Sequence, residues 1–314
     1  MRTRTLPILF VLVFSSLVHQ PVPIKASERQ GCERTMTGYQ CLYGPFNVKP
    51  GPNEQITQYV ETPAEPGYIT SALATLVDEE GESVPRRMAH LHHSGWLDPT
   101  RRDLICDSPL HPIYGTGKEK LKMKLPPGYG YHWSNEAPPL PGYPEDPVWY
   151  MYAELHGMHS DHEMSVYINL NLGFTPASDT PLTDVQGVWL GIKGCGVSQA
   201  YNVARGSGSN GKHRASRDWE MPVSGKFVWA GGHLHDGAMK LVAKNATNGS
   251  RMLVSRALYE DRRDPWFLTG TTKYSDEAGV PVDAGDVVRL TAIYDSKHRW
   301  EGVMGIMRMM LAPQ

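Results

Sequence analysis

Val148 to Leu155 (VWYMYAEL) and Met164 to Leu172 (MSVYINLNL), set around the polar tip Gly157-Met-His-Ser-Asp161, decide the fold class. Both runs are dominated by aromatic and aliphatic residues, which fit a pleated, half-buried surface. Strand, polar tip, strand is the hairpin pattern, so this stretch predicts an antiparallel pair. Working outward, Ile69 to Val77 (ITSALATLV) reads as a buried strand ending in the acidic turn Asp78-Glu79-Glu80-Gly81. Val185 to Ile192, Val223 to Ala230 and Met239 to Ala243 read as further strands. Val287 to Tyr294 and Val303 to Leu311 read as a closing antiparallel pair, and Gly206 to Arg217 (GSGSNGKHRASR) as a flexible polar loop. Gly 31 and Pro 25 make the chain turn-rich, and no repeat at solenoid or propeller periods is visible. The expectation is an all-β protein of two antiparallel β-sandwich domains. Phe174 to Thr183 (FTPASDTPLT) is the best boundary, giving an N-terminal domain over 27–176 and a C-terminal one over 177–314.

Charge is nearly balanced, 31 Lys+Arg against 33 Asp+Glu, so no basic face for nucleic acid is implied. Arg2 and Arg4 precede an apolar run from Leu6 to Val18, a secretory signal pattern over residues 1–26 with cleavage near Ala26. The run is shorter than the roughly 20 apolar residues a membrane span needs. No later segment is apolar enough to span a bilayer, so a secreted protein (periplasmic if bacterial) is expected. Export permits disulfides, and the cysteines are even in number. Of three pairings, Cys32–Cys41 would close a small loop and leave Cys106–Cys195 as a long-range staple. Asn245-Ala-Thr247 and Asn248-Gly-Ser250 match the glycosylation sequon.

The chemistry-bearing residues fall in three groups: His90-Leu-His92-His93, His233-Leu-His235, and the methionine-dense Met304-Gly-Ile-Met307-Arg-Met309-Met310. In a strand, residues two apart share a face, so His233 and His235 can converge on one ion. On its own this spacing is a weak signal and favours a pair of solvated strand histidines; the other clusters give it weight. In the first cluster His92 and His93 would oppose each other on a regular strand; they meet one metal only if the backbone is bulged there. A third histidine is available at His156, His159 or His162. Three imidazoles suit copper or zinc, and a thioether beside them favours Cu(I). Met307 and Met309 read as core filler, and Met304 as a ligand. Arg308, on the Met304 face, suggests that this face borders a cleft.

In order along the chain, His92-His93, Leu125-Pro-Pro-Gly-Tyr-Gly130, Glu154-Leu-His156-Gly-Met-His-Ser-Asp161, His233-Leu-His235 and Met304 resemble the motifs of the copper type II, ascorbate-dependent monooxygenases. That family includes the peptidylglycine α-hydroxylating and dopamine β-monooxygenases. The resemblance spans roughly Ile69 to Leu311. His90-Leu-His-His93, Gly231-Gly-His-Leu-His-Asp-Gly237 and Val303-Met-Gly-Ile-Met307 also look like the stress-upregulated nodulin proteins. The resemblance implies two jelly-roll-like sandwiches, one copper on each, facing across a solvent-filled cleft. His92, His93 and His156 would hold the electron-storing copper; His233, His235 and Met304 would hold the catalytic copper that meets dioxygen. Ascorbate would be the reductant and a C–H bond of a small-molecule or peptide-like substrate the target. Gly231 stands where the peptide-hydroxylating members carry a carboxylate-gripping arginine, and Ile306 and Arg308 replace their asparagine and tyrosine. A glycine-extended peptide is therefore a poor substrate, and Arg308 either meets an anionic or polar substrate or forms a salt bridge.

Three other readings compete. One is a non-catalytic copper-binding stress protein of the same fold. Another is a zinc hydrolase with Glu154 or Asp161 as general base, which no HExxH motif supports. The last is an adhesion or lectin module.

Overall fold

Strands form nearly everywhere the sequence alternates apolar and polar residues, and no helix longer than a single turn occurs among the described residues. The computed structural model describes residues 26, 30–53, 55–135, 142, 144, 146–158, 163–196, 198–261 and 265–314. The expected signal (all but Ala26), His159, Asp161 and His162 lie outside the described residues.

The first half builds two facing sheets. One runs Gly31–Arg34, Gly38–Val48, Met164–Pro176, Gly67–Val77, Tyr129–Trp133, Thr183–Asp184, with Met123–Lys124 also against Gly67–Val77. The other runs Ile56–Glu61, Val148–Gly157, Ala89–Asp98, His111–Gly117. The second half faces a sheet ordered Gln186–Gly191, Gly305–Pro313, Gly225–Leu234, Lys273–Val282 against one ordered Lys212–Glu220, Val287–Asp295, Ala238–Asn245, Arg251–Tyr259, Leu268–Thr271. The chain passes from one set of sheets to the other between Asp184 and Gln186. The fold is an all-β sandwich architecture, and among the described residues the strand ladders are antiparallel except where Thr183–Asp184 runs parallel to Tyr129–Trp133.

Both expected hairpins form their strands and not their pairing. Val148–Gly157 pairs with Ile56–Glu61 and Ala89–Asp98, whereas Met164–Pro176 pairs with Gly38–Val48 and Gly67–Val77 in the opposite sheet. Val287–Asp295 and Gly305–Pro313 likewise sit in different sheets. Each pair arches from one layer to the other. Alternation alone does not separate these cases, because hairpin and arch both turn one face of each strand to the core. The loop expected over Gly206 to Arg217 becomes a strand from Lys212, pairing with Val287–Asp295 at a sheet edge. Its charged residues belong to an edge that must resist pairing with other chains.

The sheet holding Gly225–Leu234 and Gly305–Pro313 is buried on both faces. Met307, Met309 and Leu311 pack into the second core, while Met310 and Ala312, on the opposite face, join the core of the first half together with Val228 and Trp229. A sheet covered on both sides reads as a near-continuous apolar run, which explains the methionine-rich strand. Met307 and Met309 are core residues, as the sequence suggests.

Polar contacts and a covalent bond reinforce this junction. His111 Nε2 accepts from the Gly187 N–H at 3.0 Å, and Ser275 Oγ donates to the Lys124 carbonyl at 2.9 Å. Cys106–Cys195 joins the halves across 89 residues, and Cys32–Cys41 closes the short N-terminal loop. Both pairings agree with the sequence expectation and fit an oxidising compartment. Among the described residues no helix is long and apolar enough to cross a membrane. Replacing Cys106 and Cys195 together by serine should lower unfolding stability by about 2–4 kcal/mol, as expected for a long closed loop. Urea denaturation of the variant, beside the parent with and without reductant, checks this.

Candidate metal centre

The pairing of Ala89–Asp98 with Val148–Gly157 sets His93 opposite Glu154, Leu91 opposite Leu155 and His90 opposite His156. His92 has no partner in this ladder; it is the extra residue of a β-bulge. Glu154 and His156, two residues apart, share a face, and their partners His93 and His90 share it with them. The bulge turns His92 to the same side, where its ring centroid lies 4.2 Å from that of His93 and 3.9 Å from that of His156. The irregularity that the adjacent histidines demanded is therefore present.

The second half delivers His233 and His235 from the end of Gly225–Leu234. His235 Nε2 lies 3.0 Å from His93 Nε2 and 3.3 Å from His233 Nε2. Nitrogens that each sit about 2.0–2.1 Å from one ion are roughly 3 Å apart, so these spacings match shared ligation. The two histidine groups thus touch; no solvent-filled cleft of the kind implied by the resemblance separates them. The cause is the doubly buried sheet, whose outer face is packed onto the first half and carries His233 with it.

Two carboxylates orient the rings. His93 Nδ1–H donates to Glu154 Oε2 at 2.8 Å, His156 Nε2–H donates to Glu154 Oε1 at 2.8 Å, and His233 Nδ1–H donates to Glu119 Oε2 at 3.0 Å. Glu154, held ionised, only accepts, and a carboxylate that accepts from a ring N–H fixes that ring's tautomer. His93 and His233 must turn bare Nε2 lone pairs inward, and His156 a bare Nδ1. This is the carboxylate–histidine arrangement that orients ligands in metal sites. His92 Nδ1 is buried with no hydrogen-bond partner. Ligand atoms of His90, His92 and His156 lie within 4.8 Å of one another, and so do those of His92, His93 and His235.

Burial keeps these rings neutral. It pulls His90 down to about 3, and pushes His92, His233 and His235 well below the ordinary imidazole value, neighbouring rings or cations adding to the effect. The hydrogen bond from His93 pulls Glu154 down to about 2, with His156 adding to it. At neutral pH His90, His92, His233 and His235 are uncharged donors, and Glu154 is ionised.

Glu119 comes from the first half and serves the second. Besides holding His233, it accepts from Arg308 Nη1 at 3.3 Å, and both side chains are buried. Burial pushes the Glu119 carboxyl up to about 7, and Arg308 is the main influence pulling it back. Arg308 also lies over the Trp189 ring at 5.0 Å. Its face therefore borders a sealed junction, and Arg308 forms the salt bridge rather than a substrate contact. Gly231 packs where a Cβ would meet Leu121 at 2.5 Å, so a longer side chain has no room there.

Met304 is tied to the His235 backbone through Tyr294. Tyr294 Oη accepts from the His235 N–H at 3.1 Å and donates to the Met304 carbonyl, bridging the two strand ends. Gly117 is the closest approach: a Cβ there would lie 2.4 Å from the His92 carbonyl oxygen and 3.0 Å from His233 Cε1. Sequence reading passed over Gly117 and Glu119. Glu119 stands between Lys118 and Lys120, which looks like a solvated turn, and its partners are 114 and 189 residues away.

Compared with known proteins, the chain matches no family model and no curated sequence.

Glu119→Gln should weaken metal binding by about 10–100-fold, since the amide no longer fixes the His233 tautomer. It should also cost about 3–5 kcal/mol by stranding buried Arg308. Chelator competition and unfolding curves measure the two effects. Gly117→Ala should press on the bulge and destabilise by about 1–3 kcal/mol, read from thermal melting.

Proposed function

We propose that the protein is an exported, copper-dependent monooxygenase-like oxidoreductase that hydroxylates a C–H bond of an organic substrate with dioxygen and a reductant such as ascorbate. The observation that carries this reading is the convergence of carboxylate-anchored imidazoles, with His93 Nε2 3.0 Å from His235 Nε2. Neutral imidazole serves both copper oxidation states, and the unpartnered His92 Nδ1 is a buried donor awaiting a ligand. His92, His93, His156, His233 and His235 would hold the metal, with the Met304 thioether as a further ligand from the strand end that Tyr294 fixes. Bound copper would supply one-electron chemistry between Cu(I) and Cu(II). The balance is one dioxygen, two electrons and two protons for each C–H bond hydroxylated, with the second oxygen atom leaving as water.

The chain's own groups divide the remaining work. Glu154 and Glu119 hold the outward ring protons, so the inward nitrogens stay bare. On one side the centre is sealed by His233, Glu119 and Arg308, each no more than 2% exposed. On the other, the Glu154 and His156 side chains keep 30% and 19% exposure, so reductant and substrate would arrive there. Two disulfides and the basic-then-apolar N-terminus support export.

A second reading, a copper-holding protein without turnover, draws support from the contact between the histidine groups, whose nitrogens face one another. Copper-loaded protein with ascorbate separates the two. The enzyme reading expects oxygen uptake stimulated by a substrate from a panel, labelled oxygen in the product, and a fall of about tenfold or more in His235→Ala. Stoichiometric copper with no substrate-stimulated uptake would leave the binding protein.

A further inference from the structure

The geometry points to a docking site for the oxyanion group of a small organic anion, in the recess between Arg86, Lys120 and His90. The docking stands on its own residues; what the docked anion does, as reductant or as substrate, rests on the copper reading.

Two turns meet beside the histidines to build the recess. Arg86 lies just before Ala89–Asp98, and Lys118, Glu119 and Lys120 follow His111–Gly117. The Lys120 N–H donates to the Gly117 carbonyl at 2.9 Å, closing a tight turn in which Lys120 takes φ 48° less one degree, that is 47°. This is the left-handed region, uncommon for a residue with a side chain. The turn sends Glu119 inward to His233 and leaves both lysines on the lining of the recess, together with Arg86 and His90. Among the described residues, three cations line it and no carboxylate does.

Charge pairing leaves two of these cations uncompensated. Lys118 is bound to Asp236, whose other oxygen accepts from the Leu268 N–H at 2.9 Å. Neither Arg86 nor Lys120 has a carboxylate among the described residues within ion-pair distance. Arg86 Nη2 donates to the Leu268 carbonyl at 2.8 Å, which fixes the guanidinium and leaves its other donors for a ligand. Burial pulls the Lys120 ammonium down, and Arg86 beside it adds to the effect, so the two charges repel in the absence of an anion. A fixed guanidinium with a second cation beside it suits an oxyanion, which takes charge-assisted hydrogen bonds from both. The cavity volume is about 20 Å³, room for one or two water-sized groups. It therefore seats a carboxylate, phosphate or enolate head and leaves the rest of the molecule outside. The His90 ring centroid is 5.5 Å from that of His156, so an anion held here stands one imidazole from the rest of the cluster.

The test begins with the metal-free full chain, titrated with inorganic phosphate in a calorimeter at low ionic strength. The parent should bind phosphate saturably. Arg86→Gln should weaken binding by about tenfold or more, through loss of charged hydrogen-bond donors. Lys120→Gln removes an exposed charge and should weaken it by about threefold, with an unchanged melting temperature. Absence of phosphate binding by the parent, or binding that neither variant weakens, overturns the proposal. Should Arg86→Gln not fold, Lys120→Gln decides alone, because its ammonium makes no hydrogen bond or ion pair to a described residue. Copper-loaded protein then identifies the source of the anion. Loss of the Cu(II) paramagnetic resonance signal is timed with ascorbate, a monoanion that gives one electron to Cu(II) and releases a proton, and with neutral hydroquinone. Slowing of about tenfold in Arg86→Gln with ascorbate alone makes the docked anion the reductant. Unchanged rates with both, beside weakened phosphate binding, assign the recess to an anionic group of the substrate. Phosphate binding by a chain that takes up no copper would sink the copper reading and leave the docking site standing.

Discussion

A sheet buried on both faces is the constraint on which the rest of this structure depends. Gly225–Leu234 and Gly305–Pro313 show one face to their own sandwich and the other to the first half. A charge buried on such a sheet needs an opposite charge beside it. Arg308 therefore needs Glu119, and the same carboxylate holds His233. Apolar packing brings the halves together, and one buried carboxylate converts that packing into an oriented imidazole.

Much of the fold was legible because burial imposes period two on every strand. Ile69 to Val77, the first histidine cluster and the closing methionine strand all lie where alternation or apolar runs place them. Strand pairing was not legible. Val148–Gly157 and Met164–Pro176 present the same pattern whether they form a hairpin or arch between layers, and the sheets they join are set by strands far away in sequence. The charged Lys212–Glu220 edge was hidden for the opposite reason, since edge protection looks like loop composition.

The histidines of the centre were legible because imidazole is scarce and clustered. That the two clusters meet was not, since it depends on a one-residue irregularity and on how two halves dock. Glu119 shows the limit most clearly. Its neighbours Lys118 and Lys120 disguise a fully buried acid, and only the fold reveals that it faces His233 and Arg308. Arg308 suggested a cleft beside its face, and the structure puts a packed junction there, with Arg308 buried against Glu119.

The bulge at His92 leaves the ladder regular on either side: His93 stays opposite Glu154, and Leu91 opposite Leu155. Removing that single residue would close the ladder without turning His90 or His93 to the other face. A centre built this way gains or loses a donor by insertion or deletion of one codon, with no compensating change elsewhere in the sheet. Its ligand number is thus a property of chain length at one position, separable from the chemistry of the residues around it.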